Sequence, residues 1–246
     1  MLIALLSDVQ ANREALDACL ADARRAGAER YVFLGDIVGY GADPVWAIET
    51  VAEMVADGAV AVLGNHDAAA IRPGDSMTAA ALAAIDWTRG RLAEAHRAFL
   101  AGLPLTLEED DRLYVHASAC APDTWIYVRT PREAFQSLQA TRQRITFCGH
   151  THIPALFTEG VTALPQQHVP TDGTAIPLLA QRRWVAVLGA VGQPRDQNPA
   201  ACYGLFDDRR NRLTYVRVPY DVDLAARKIR AAGLPDILAT RLTVGH

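Results

Sequence analysis

Five times along this chain a short apolar run stops against a side chain able to ligate a metal: Leu-Leu-Ser-Asp8, Phe-Leu-Gly-Asp36, Val-Leu-Gly-Asn65-His66-Asp67, Leu-Tyr-Val-His116 and Phe-Cys-Gly-His150-Thr-His152. Apolar runs of this length are the signature of buried strands. In α/β sheets, ligands collect in the crevice beyond the carboxyl ends of the strands, so residues that follow separate strands can converge there. A fold that places these five ends side by side is therefore expected.

The rest of the pattern supplies one. Residues 2–6 form a strand, and residues 12–26 carry Ala15, Leu16, Cys19, Leu20 and Ala23 at helical spacing, with Asn12 as N-cap and Gly27 as stop. Residues 31–34 are the next strand, Asp43-Pro44 opens a helix running toward Val55, and residues 59–63 follow the Asp57-Gly58 turn as a third strand. This alternation predicts right-handed crossovers and a parallel sheet. An Ala-rich stretch, residues 77–100, reads as one or two helices packed over that unit. Beyond Leu103-Pro104 the rhythm turns mainly β, with runs at 113–115, 145–148, 184–188, 203–206 and 213–218 and a hairpin turn at 207–210. Residues 222–242 return to helical spacing, broken at Gly233-Leu-Pro235, and residues 165–177 look like a loop. The predicted fold class is α/β: a two-sheet α/β sandwich with mixed sheets face to face and helices outside.

Size and charge narrow the classes of function. At 246 residues and 50% hydrophobic composition the chain can bury a substantial core, and one domain over 1–246 is expected. Lys and Arg number 24 against 28 Asp and Glu, a formal charge of −4, which leaves no basic footprint for nucleic acid. The N-terminus is apolar for only a few residues and lacks a basic n-region, which predicts neither a leader nor a membrane anchor. Cys19, Cys120, Cys148 and Cys202 are scattered without a CxxC pair, as suits buried thiols and a cytoplasmic location. Sheet edges leave a homo-oligomer open as a partner, with no stretch that marks its interface.

Each strand-end residue taken singly has an ordinary explanation. A Gly-Asp after a strand is turn chemistry, and a strand His is a hydrogen-bonded core residue. His150 and His152 are more telling, because a spacing of two puts both imidazoles on one side of an extended segment. The ensemble is what is specific: carboxylates, an amide and imidazoles form a mixed oxygen and nitrogen set that suits Mn²⁺, Fe or Zn²⁺ and points to hydrolytic chemistry. His96, His168 and His246 lack such a setting and are expected to be ordinary solvated residues.

In their order along the chain, Ser-Asp8-Val-Gln10-Ala-Asn12, Leu-Gly-Asp36-Ile-Val-Gly-Tyr40-Gly, Gly-Asn65-His66-Asp67, Val-His116 and Gly-His150-Thr-His152 resemble the successive motifs of calcineurin-like metallophosphoesterases. Gly192-Gln193-Pro194-Arg195-Asp196 and Tyr220-Asp221 resemble elements of the YfcE-like phosphodiesterase branch of bacteria and archaea. The resemblance implies hydrolysis of a phosphodiester or monoester by a hydroxide bridging two divalent metal ions. Asp8 and His152 would hold the first metal, Asp36 would bridge, and Asn65, His116 and His150 would hold the second. His66 would stabilise the transition state or protonate the leaving oxygen, with Asp67 orienting it or acting as a helix cap.

Gln10 stands where the family pattern has a histidine ligand of the first metal. A neutral amide oxygen is the weaker donor, so the centre is expected to be asymmetric: Gln10 ligates weakly, a water replaces it, or only one ion is held at full occupancy. For substrate contacts, Arg195 offers a planar donor fork to phosphate, and Asn12 and Tyr40 are near the metal motifs in sequence. The expected substrate is a small phosphorylated compound. A non-catalytic metal-binding or protein-interaction module on the same fold is the alternative, argued against by the retained His66. A protein phosphatase ranks last among enzymes, since its Gly-Asn-His-Glu motif is absent.

Overall fold

The computed structural model describes residues 1–72, 77–160 and 164–246. The first sheet is built from β1 (Leu2–Leu6), β2 (Arg30–Phe33) and β3 (Val60–Ala61), linked by α1 (Arg13–Arg25) and α2 (Pro44–Ala56). These three strands are parallel, as strand–helix–strand crossovers require. The long hairpin β11 (Ala201–Asp207) and β12 (Arg212–Val218) adds to the open side of β1, and β9 (Ala175–Pro177) closes the edge, giving the order β3-β2-β1-β11-β12-β9. The second sheet comprises β4 (Thr106–Glu109), β5 (Arg112–Val115), β6 (Ile145–Cys148), β7 (Ala155–Thr158), β8 (Gln166–His168) and β10 (Trp184–Val187). Their order is β4-β5-β6-β10-β7-β8, with β5, β6 and β10 parallel at its centre.

Alternation along β1 decides what lies on each face. Ile3 and Leu5 point toward the second sheet and join Tyr114, Phe147, Leu156 and Phe206 in the layer between the sheets. Ala4 and Leu6 point the other way, under Ala15, Leu16 and Cys19 of α1 and Ile48 and Val51 of α2. The far face of the second sheet is covered by α6 (Pro131–Gln139), whose Ala134 and Leu138 pack on Val115, Val185 and Val187. The two-sheet sandwich with helices outside is thus the architecture of the molecule.

The helices start and stop where the sequence places their signals. Asn12 Oδ1 accepts from Ala15 N at 3.1 Å to cap α1, and Pro44 opens α2. The Ala-rich stretch is two helices, α4 (Ala79–Arg89) and α5 (Glu94–Ala101). The closing segment is also two, α7 (Val222–Ala231) and α8 (Asp236–Val244), parted at Gly233 with φ +73°. A short helix, α3 (Asn65–Ile71), follows β3 directly.

One expectation is corrected. Residues 165–177 are not a plain loop, since they hold β8 and β9, each at a sheet edge. All three β8 residues are exposed, so no alternation between buried and solvated positions marks it in sequence. Among the described residues no helix is long and apolar enough to cross a membrane.

Candidate metal centre

The carboxyl ends of β1, β2, β3, β5 and β6 meet at one edge of the sandwich, and the ligand-type residues follow them at once. Asp8, Asp36 and His152 bring one ligand atom each within 4.8 Å of one another, and Asp36, His116 and His150 do the same. Asp36 belongs to both groups, so the expected bridging residue is the one the fold makes common to two ligand sets. Asn65, the first residue of α3, points its Oδ1 to within 3.1 Å of His116 Nε2. The two groups therefore share a single buried carboxylate.

The backbone is bent to achieve this. Asp8, Gln10, Asp36, His150 and His152 have φ between +53° and +66°, the left-handed region that L-residues seldom adopt. Tight turns directly after the strands aim their side chains back over the sheet edge instead of along it. Gly64 allows a close approach that no other residue would, because a Cβ there would run into the backbone and carboxylate of Asp36. His66 N, one turn of chain onward, donates to Asp36 Oδ1 at 2.8 Å.

Hydrogen bonds outside the centre fix which nitrogens face it. His116 Nδ1 donates to Leu34 O at 2.7 Å and His152 Nδ1 donates to Gln193 O at 2.6 Å, which leaves each Nε2 as a lone pair. The lone pair of His152 then faces Asp8 Oδ1 at 3.2 Å, and that oxygen has no hydrogen-bond donor of its own. Asn65 Oδ1 and His116 Nε2 are likewise two acceptors in contact. Asp8 Oδ2, in contrast, is satisfied by Ser7 Oγ at 2.7 Å and His150 N at 3.0 Å. Acceptors turned toward one another without protons between them are what a cation site looks like.

Electrostatics give the same fit. Asp8 and Asp36 are at most 1% exposed, and among the described residues their ion-pair partners are imidazoles only, with no Lys or Arg. Burial pushes the Asp36 carboxyl well above the usual carboxylate range, and the charges of Asp8 and Asp67 push it the same way. Ser7 Oγ–H and His150 N–H both donate to Asp8 Oδ2 and favour its charged form. Burial lowers His66 to about 3 and His150 to about 2, with neighbouring imidazoles adding to the effect, and it lowers His152 as well. Two acidic groups this close cannot both stay charged beside neutral imidazoles, which is why Asp36 is driven toward its protonated form, and a bound divalent cation would allow both to ionise.

The remaining expected residues are distributed as follows. His66 is 4% exposed, lies against Tyr40 at 4.6 Å between ring centroids, and its Nδ1 has no partner. Asp67 accepts from Val38 N at 3.0 Å and Gly64 N at 3.1 Å, so its carboxylate caps α3 and ties the turn after β2. No hydrogen bond joins it to the His66 ring among the described contacts. Arg195 lies with its guanidinium 5.4 Å from the Tyr40 ring centroid and donates from Nη2 to Gln193 Oε1 at 3.0 Å. Asn12 is placed as a cap and tether: besides accepting from Ala15 N, it donates to Gly192 O at 2.8 Å and to Tyr220 Oη at 3.3 Å. Gln10 donates from Nε2 to Asp36 Oδ2 at 2.9 Å. Away from the centre, His96 Nδ1 accepts from Ala93 N and its Nε2 lies 3.3 Å from Glu49.

Sequence reasoning did not single out the aromatic wall beside the second ligand group. Tyr127 stacks on His150 with centroids 4.0 Å apart, Arg129 covers the Tyr127 ring at 3.9 Å, and Trp125 meets His116 edge-on at 5.9 Å. These residues sit in the non-repetitive segment between β5 and α6, where no periodicity draws attention to them. A run with Trp125, Tyr127 and Arg129 so soon after His116 was the available signal.

The family described as Calcineurin-like phosphoesterase superfamily domain matches residues 1–210. An uncharacterized protein of Methanocaldococcus jannaschii is 32% identical over 252 residues, covering 100% of this chain and 98% of that protein. A crystal structure of a metallophosphoesterase from Sphaerobacter thermophilus is similar with a TM-score of 0.90 and 37% identity, covering 100% of this chain and 99% of the other. A hypothetical protein from Pyrococcus horikoshii shares the fold with a TM-score of 0.78 at 19% identity, covering 100% and 98%.

Proposed function

Because the chain belongs to the calcineurin-like phosphoesterase superfamily, we propose that it hydrolyses a phosphate ester, diester or monoester, of a small phosphorylated compound. The observation that carries the proposal is the sharing of Asp36 between two ligand groups with His66 directly beside them. Divalent cations bound there would polarise the phosphate and activate water, and Mn²⁺, Fe and Zn²⁺ suit the donor set.

The protein's own groups divide the remaining work. Asp8, Asp36, Asn65, His116, His150 and His152 would hold the ions, and the turns and hydrogen bonds described above would keep these ligands from rearranging as charge develops. His66 enters as a neutral imidazole, since burial holds it far below its ordinary value and bound cations push in the same direction. It therefore offers one N–H to a phosphoryl or leaving-group oxygen, and its unpartnered Nδ1 leaves the ring free to choose its tautomer. Arg195, held by Gln193 and stacked near Tyr40, presents its remaining donors at the rim, where a phosphate oxygen would approach.

The test is hydrolysis of bis-p-nitrophenyl phosphate by the purified chain with added Mn²⁺ beside a chelated control. Turnover abolished by the chelator supports the proposal. A folded, metal-loaded sample that hydrolyses neither this diester nor p-nitrophenyl phosphate would move the weight to a non-catalytic module.

A further inference from the structure

Gln10 stands at a position expected to ligate, yet its side chain turns a donor and not an acceptor toward Asp36. Its amide is fixed from both ends: Oε1 accepts from Tyr40 N at 3.3 Å, and Nε2 donates to Asp36 Oδ2 at 2.9 Å. The residue is 1% exposed, and a Cβ at Gly39 would overlap its Oε1, so the pocket that holds the carboxamide exists only because that position is glycine. Turning the amide over to present oxygen to a cation would set two N–H donors against each other at Tyr40 and strip Asp36 Oδ2 of its only donor. Asp36 is meanwhile bonded once at each oxygen, by His66 N at Oδ1 and by Gln10 at Oδ2, which leaves a lone pair on each for an ion.

We propose that Gln10 is a positioning residue that clamps the shared carboxylate of Asp36 and is not itself a metal ligand. The inference rests on the reading of Asp36 as the shared ligand. It makes the two cation positions unequal: one is held by Asp36, His116 and His150 with Asn65, the other by Asp8, Asp36 and His152 without a fourth protein ligand. The second position is the weak one and exchanges its ion, while the clamp serves both.

Calorimetric titration of the metal-free full chain with MnCl₂ tests this, wild type against Gln10→Ala, with thermal unfolding of both metal-free proteins as control. In wild type, two classes of site are expected, and in Gln10→Ala both weaken, by roughly tenfold each, because the shared ligand loses its anchor. Weakening confined to the weaker class would make Gln10 a ligand of that site and overturn the proposal, as would unchanged affinities. Should Gln10→Ala fail to fold, Gln10→Met, which keeps the length of the side chain and removes its donor and its hard acceptor, is titrated in its place: weakening of both classes supports the clamp, and weakening of the weaker class alone or of neither overturns it. All readouts are of metal binding, so a chain that binds Mn²⁺ as described but turns over no ester sinks only the hydrolase reading.

Discussion

Asp8 shows how a side chain suited to a cation is ill suited to its absence. One oxygen is satisfied by Ser7 and His150, while the other faces only the lone pair of His152 at 3.2 Å. Asp8→Asn keeps the satisfied acceptor and turns the other position into a donor aimed at that lone pair. The metal-free variant is expected to be more stable than wild type by about 1 kcal/mol, a rise of roughly 2–4 °C in thermal midpoint, while its affinity for Mn²⁺ falls. A midpoint below that of chelated wild type would show that the pair is not the liability the geometry implies. His66 makes the opposite case: His66→Ala should cut turnover by roughly 10²–10⁴-fold with metal content unchanged, checked by kinetics and elemental analysis on the same sample. Loss of metal would make His66 a ligand. The ligand-type residues were legible in the sequence because each ends an apolar run. The orientation of Gln10 was not, since it depends on the backbone N–H of Tyr40, 30 residues away in the chain.

Among the elements, most strands buried on both faces carried their own evidence. Strands β1, β5, β6 and β10 read as apolar runs because a strand between layers has no solvated side to alternate with. The strands β4, β7, β8 and β9 and the helices α3 and α6 were missed: β7 is buried but only four residues long, β8 is exposed and polar, β9 is three residues ending in proline, and the seven residues of α3 are too few for a helical period to show. Helix α1 links element to site, because Asn12 caps it while also tethering the Gly192 loop that leads to Gln193 and Arg195. Asn12→Ala is expected to cost about 1–2 kcal/mol from the lost cap, seen as a lower unfolding midpoint. The KM for a small ester should stay within about twofold if the residue only caps, because its polar atoms are already engaged by the protein. A large KM rise without loss of stability would restore it to the substrate contacts expected from its place in sequence.

At the scale of the whole molecule, stability, pH and metal are linked through the centre. His66 and His150 have folded values near 3 and 2, below the ordinary 6.5, so between these limits the unfolded chain binds more protons than the folded one. Stability then rises with pH across that window and is lost as pH falls through it. His152 contributes in the same direction, whereas Asp67, raised to about 6 by burial, binds its proton more readily when folded and partly offsets the loss between its ordinary 3.8 and 6. Asp36, raised by burial, offsets the loss in the same way, so three imidazoles stand against two raised carboxyls, and the chelated protein is still expected to lose thermal stability between pH 7 and 5. Mn²⁺ should raise the midpoint at pH 7, by about 2.7 kcal/mol at a hundredfold excess over Kd. That gain should shrink on acidification, because the cation has to displace the proton that burial favours on the Asp36 carboxyl. Scanning calorimetry from pH 8 to 5, with and without Mn²⁺, measures both terms. A metal gain independent of pH would mean that Asp36 does not hold the ions, and the centre would have to be rebuilt without a shared carboxylate.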